Sequence, residues 1–177
     1  MMTGVGLIAR TVLIEAIRRK EIYVIVLVAS VMIGTVMTLD FFELEGVTKF
    51  YREMALKVMS GATAITVVVL ASRQLPREFE SRTIYPLLAR PIGRSTFLLG
   101  KLLGVWLAAG FCFSLFMCVY VTGMHSLGCD IHWPIFTQYL YLQMAMMLVL
   151  ATLGFVLSML FNVDAAITFG VLLYALV

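Results

Sequence analysis

The chain contains several long apolar runs with few or no charged residues, and this feature restricts its fold more than any other. A membrane-spanning helix needs about 20 residues, because the hydrocarbon core of a bilayer is about 30 Å thick and a helix rises about 1.5 Å per residue. The sequence predicts spans at 22–39, 54–75, 97–124 and 135–161, and a fifth that begins at Ala165. We therefore predict an all-α integral membrane protein with at least four to five transmembrane helices.

The composition agrees with this fold class. Hydrophobic residues make up 62% of the chain and charged residues 13%, with a mean hydropathy of +1.03. Such a chain has too few polar residues to cover the surface of a soluble globule. The net charge of +3 gives no electrostatic footprint for nucleic acid, so membrane lipids are the predicted surroundings. A length of 177 residues corresponds to one transmembrane domain over 1–177.

The fifth apolar run is too short to cross a bilayer by itself. As a helix, residues 165–177 would rise only about 20 Å, against a hydrocarbon core of about 30 Å. We expect the C-terminal part of this domain to be incomplete in the sequence.

The distribution of Lys and Arg predicts the orientation in the membrane, because cytoplasmic loops carry the excess of these residues. One side holds only Lys49, Arg52 and Lys57. The other side holds Arg10, Arg18, Arg19, Lys20, Arg73, Arg77, Arg82, Arg90, Arg94 and Lys101. The N-terminus and 73–101 are therefore predicted to be cytoplasmic, and 40–57 and 125–134 to face outward.

The first twenty residues have the pattern of an amphipathic helix. On a helical wheel the polar residues Arg10, Thr11, Glu15 and Arg18 lie opposite an apolar face of Val5, Ile8, Ala9, Val12, Leu13, Ala16 and Ile17. We interpret 1–20 as a helix in the cytoplasmic interface that precedes the first span. A plain cytoplasmic extension of that span remains the alternative.

The charged segment between the second and third spans carries a helical pattern of its own. Ser81 or Thr83 can cap a short helix that runs to Leu88 or Ala89. Pro91 then ends it, because the residue before a proline avoids the helical region. We predict a short transverse helix inside a cytoplasmic loop over 73–96.

This segment resembles a known family. The pattern that carries the resemblance is Glu78, Glu80, Thr83, Leu87-Leu88-Ala89-Arg90-Pro91, Arg94 and Gly100-Lys101-Leu102-Leu103-Gly104. It is similar to the membrane subunit of ABC-2 type transporters, the type V exporter fold. Arg82, Pro86 and Gly93 depart from the residues that are usual in the family.

The resemblance implies an N-terminal elbow helix at 1–20 and about six spans, of which this chain would hold only part. It implies a permease subunit that couples ATP hydrolysis by a separate ATPase to substrate export, in a bacterial cytoplasmic (inner) membrane. The implied partners are an ATP-binding cassette ATPase and a second copy of the permease or a homologous one. The implied coupling residues are Glu78, Glu80, Arg82, Thr83, Ile84, Tyr85, Leu87, Leu88, Arg90 and Arg94.

The sequence predicts no enzyme activity and no cofactor on this chain, so ATP and Mg would belong to the ATPase. The stretch 93–102 imitates a phosphate-binding loop, but Ser95 stands where its first Gly belongs and Leu102 where Ser or Thr is required. No zinc-protease HExxH motif occurs. An outer loop gathers His125, Cys129, Asp130 and His132, a mixture that polar loops produce by chance, and we predict no metal site there.

Two other functions stay open. The chain could be a structural membrane subunit that transports nothing, or, less favoured, an intramembrane enzyme. No ionisable residue lies at mid-membrane depth in the predicted spans, which disfavours a transporter driven by an ion gradient.

Small residues recur every four positions on the predicted spans and allow close helix packing. The stripes are Ser30-Gly34-Thr38, Gly100-Gly104-Ala108 and Gly110-Ser114-Cys118-Thr122. We predict that they pack within one subunit, in preference to forming a dimer face. We expect the polarity inside the spans to come only from hydroxyls such as Thr63, Thr66, Ser114 and Thr152.

Overall fold

A computed structural model describes residues 2–18, 20–38, 47–80, 94–126 and 133–176. These residues are almost entirely helical and contain no strand, which confirms the all-α prediction. They form α1 Met2–Ile17, α2 Lys20–Thr38, α3 Val47–Glu80, α4 Arg94–Ser126, α5 Trp133–Leu160 and α6 Val163–Leu176.

Each predicted apolar run lies mainly in one of these helices. In the described part of the chain, three helices are long and apolar enough to cross a membrane, over Lys49–Gln74, Ser95–His125 and Trp133–Leu160. The first and fifth runs form shorter apolar helices, Val26–Thr35 within α2 and Val163–Leu176. The helices therefore have the lengths and composition of an integral membrane protein.

Helix α3 lies at the centre and runs parallel to α5. The Tyr139 hydroxyl of α5 donates a hydrogen bond to the Leu56 carbonyl of α3 at 3.1 Å. Further along both helices, a β-carbon at Gly154 would lie 2.6 Å from Cβ of Ala71. Because the contacts advance together along both chains, α3 and α5 share one direction.

Helices α4 and α6 run opposite to α3. The ring of Tyr120 near the end of α4 stacks on Tyr51 near the start of α3, with centroids 6.3 Å apart. Gly170 of α6 packs against Val68, whereas the later Tyr174 reaches the earlier Ser60 at 2.9 Å. Four helices therefore surround α3, because α2 also contacts it.

The core consists of the faces that these helices turn toward α3. Its largest fully buried side chains include Met59, Val67, Val68, Leu70, Val105, Phe113, Phe116 and Met147. A second, smaller cluster joins α2 to the start of α3 and the end of α4 through Ile33, Tyr51, Ala55, Tyr120 and Met124. Large apolar side chains on the outside, such as Leu142 and Met159, are exposed, as expected for helices surrounded by lipid.

Candidate functional site

The predicted coupling residues lie between α3 and α4, and only their two ends are among the described residues. Glu78 and Glu80 belong to the last turn of α3, and Arg94 is the first residue of α4. The predicted transverse helix lies outside the described residues, as do Arg82, Thr83, Ile84, Tyr85, Leu87, Leu88 and Arg90. The candidate site is therefore the α3–α4 junction, which we define as residues 72–80 and 94–104.

Helix α3 continues further into this junction than the sequence predicted. The predicted loop begins at residue 73, whereas the helix passes through Pro76 and ends at Glu80. Proline removes one N–H and crowds the carbonyl of the residue four positions earlier, here Ser72. The helix nevertheless continues through Pro76 to Glu80. Only 81–93 then separates α3 from α4.

A buried lysine connects the two sides of the junction. Lys101 of α4 is 3% exposed, and its Nζ donates to Gln74 of α3, at 3.3 Å from Oε1 and 3.4 Å from the backbone carbonyl. The ammonium also lies 5.4 Å from the ring centroid of Phe97. A buried charge is costly unless hydrogen bonds satisfy it, so these contacts fix where the side chain can lie. In the sequence Lys101 was one of the predicted cytoplasmic basic residues, near the start of a span, and part of the motif that carries the family resemblance, without a role of its own.

Two further polar groups are buried near the end of α3. Gln74 Nε2 and Ser72 Oγ have no hydrogen-bond partner, although both residues are at most 3% exposed. A buried polar group without a partner costs about 1–3 kcal/mol. The junction therefore contains hydrogen-bonding capacity that its present arrangement does not use.

Helix α1 packs on the α4 side of the junction. A β-carbon at Gly100 would lie 3.0 Å from Cβ of Ile8, and one at Gly104 would lie 2.6 Å from Cβ of Val12. The absence of side chains at both glycines lets the two helices approach closely. Ala9, Val12 and Ala16 on the predicted apolar face of α1 are only 5%, 3% and 1% exposed. That face contacts α4, and its position relative to a membrane interface remains a prediction.

The prediction that the small-residue stripes pack within one subunit is correct for one stripe and wrong for another. Gly100-Gly104-Ala108 packs within the chain, as predicted. The stripe that begins at Gly110 does not, because a β-carbon there would meet no atom within 4 Å and Ser114, Cys118 and Thr122 are exposed. Gly34 of α2 likewise meets nothing within 4 Å.

Gln143 and Thr63 form a buried polar pair that was not predicted from the sequence. Gln143 of α5 is buried, and its Nε2 donates to Oγ1 of Thr63 at 2.6 Å. The available signal was the amide of Gln143 inside a charge-free span, which also contains Gln138. Thr66 is also buried, whereas Ser114 and Thr152 are exposed and bond to carbonyls of their own helices.

No metal-ligand cluster occurs among the residues that the structure describes. His125 is exposed near the end of α4. Cys129, Asp130 and His132 lie outside the described ranges, so the prediction for that loop is not decided by the structure.

Comparison with known families identifies the chain. Residues 16–177 match the sequence pattern of an ABC-2 family transporter protein. A search among curated proteins gives no match. The matched range begins in the last residues of α1 and includes both sides of the α3–α4 junction, which confirms the resemblance seen in the sequence. The chain therefore belongs to the ABC-2 family of transporter membrane proteins and is a permease subunit of an ABC transporter.

Proposed function

We propose that this permease couples ATP hydrolysis by a separate ATP-binding cassette subunit to the export of a substrate. Coupling would take place at 81–93, together with Glu78, Glu80 and Arg94 at its ends. The observation that supports this proposal is the length of α3. Its apolar part ends at Gln74, but the helix continues to Glu80, which extends it by about 9 Å. The family match and this extension favour a segment held away from the bilayer, where a soluble partner can bind it.

The working unit in this proposal contains two permeases and two ATPases. The second permease is another copy of the chain or a homologous one. ATP and Mg bind the ATPases, because the only stretch that imitates a phosphate loop, 93–102, has the wrong residues for one. The permease itself catalyses no reaction. Its N-terminus and the α3–α4 junction lie on the cytoplasmic side of a bacterial inner membrane.

Apolar side chains would contribute most of the docking energy. Ile84, Tyr85, Leu87 and Leu88 supply an apolar surface between charged residues. Burial of one such side chain contributes about 1.5–3 kcal/mol. An exposed ion pair contributes about 1 kcal/mol or less and mainly sets orientation.

A comparison of two variants tests this proposal. We expect Tyr85→Ala combined with Leu88→Ala to abolish co-purification of the ATPase, whereas Arg82→Ala should reduce it only slightly. A membrane-inserted yield equal to wild type is the control for folding of the spans. Full ATPase co-purification with the double variant would refute docking at this segment. Hydrolysis of ATP by the purified permease alone would refute the division of labour between the subunits.

A further inference from the structure

The buried lysine of the α3–α4 junction has a position that packing alone does not explain. An apolar side chain at 101 could fill the same space without the cost of burying a charge. Ionisable residues buried in membrane proteins commonly serve function, with a partner on a neighbouring helix. Here Lys101 reaches Gln74 on α3, and both groups are at most 3% exposed.

The contact joins the two helices at the ends that 81–93 connects. Gln74 lies shortly before the end of α3 at Glu80, and Lys101 lies two turns after the start of α4 at Arg94. On the same turns of α4, Gly100 and Gly104 face α1. One side of this part of α4 is therefore packed on α1, and the Lys101 side chain extends from α4 to α3.

We infer that Lys101 is a positioning residue for coupling, which holds the ends of α3 and α4 together so that a displacement of 81–93 moves both helices as one unit. This inference rests on the proposed function. The hydrogen bond adds a directional contact to apolar packing, which has no preferred direction, and it therefore resists sliding of one helix end past the other. The unpartnered Gln74 Nε2 provides a hydrogen-bonding group for a second arrangement of the same junction.

Near-isosteric variants separate the effect of the hydrogen bond from the effect of side-chain volume. Lys101→Met removes the donor, Gln74→Met removes the acceptor side chain, and Lys101→Arg keeps a buried cation. The matched control is Leu102→Met, a change of similar volume on the neighbouring residue of α4, which is partly buried in the apolar core.

The first measurement uses the full chain without its ATPase, in nanodiscs. Spin labels at Glu80 and Ser95 report the distance between the ends of α3 and α4 by pulsed electron paramagnetic resonance. We expect one narrow distance distribution for wild type and Leu102→Met. Lys101→Met and Gln74→Met should broaden the distribution, and Lys101→Arg should restore most of the narrow peak.

The second measurement uses the complex with the co-purifying ATPase and no spin labels. We expect the change in ATPase rate caused by the permease to fall about tenfold in Lys101→Met and Gln74→Met, with unchanged co-purification. If wild type binds no ATPase, the proposed function fails, while the distance measurement still decides whether Lys101 joins the two helices.

Three outcomes would overturn the inference. The first is a narrow distribution with a wild-type ATPase response in Lys101→Met. The second is an equal effect of Leu102→Met. The third is loss of ATPase binding with unchanged distances, which would place Lys101 in the docking surface. If Lys101→Met does not fold, Gln74→Met decides by the same criteria, because the backbone carbonyl of residue 74 still accepts from Lys101.

Discussion

Replacement of Gly104 by Ala should weaken the packing of α1 on α4. The new β-carbon would lie 2.6 Å from Cβ of Val12, 2.9 Å from its Cγ1 and 3.1 Å from the carbonyl oxygen of Ala9. Cβ of Val12 and the Ala9 carbonyl are fixed to the backbone of α1, so no rotamer change can remove the overlap. Helix α1 must therefore shift away from α4.

The structure supplies a matched control on the same helix. Forced overpacking costs about 1–3 kcal/mol, whereas Ala in place of Gly in a helix interior gains up to about 1 kcal/mol. At Gly110 a β-carbon meets nothing within 4 Å, so Gly110→Ala should show only the gain. The two variants should differ in free energy of unfolding by about 1–3 kcal/mol. Gly100→Ala, whose nearest contacts are 3.0 and 3.1 Å, should fall between them.

Two measurements test this order. Denaturant titration in mixed micelles gives the free energy of unfolding, and limited trypsin digestion at the exposed Arg18 reports release of α1. We expect faster cleavage at Arg18 in Gly104→Ala than in Gly110→Ala. Equal stability and equal cleavage of the two variants would refute the role assigned to the close approach at Gly104.

Three other predictions concern the core and the topology. Gly154→Ala should destabilise the α3–α5 contact by about 1–3 kcal/mol relative to Gly61→Ala, which has open space around it; equal unfolding curves would contradict this. A double-mutant cycle with Thr63→Val and Gln143→Leu should give a coupling of about 0.6 kcal/mol, and zero coupling would show that the 2.6 Å contact adds no stability. A cysteine at Glu80 should be labelled by an impermeant maleimide in inside-out vesicles, and labelling in intact cells would reverse the topology.

The sequence by itself determined the helices and the family. In a bilayer the backbone must satisfy its own hydrogen bonds, so an uncharged apolar run of sufficient length forms a helix whatever its neighbours are. For the same reason the described helices contain most of each predicted span. The motif at 78–104 depends on local residue order and was sufficient to identify the family, although most of the proposed coupling residues lie outside the described part of the chain.

Only the tertiary structure decided which surfaces meet. Small residues at four-residue spacing show that a helix face is flat, but they do not show what lies opposite that face. In the structure Gly104 is covered by α1, whereas Gly110 faces open space. The continuation of α3 through Pro76 was not predicted from the sequence, because a proline usually ends or kinks a helix. The burial of Lys101 depends on the partner that Gln74 offers across the junction. A hydrogen bond between residues far apart in the chain has no local signal, because it exists only once two helices are placed side by side.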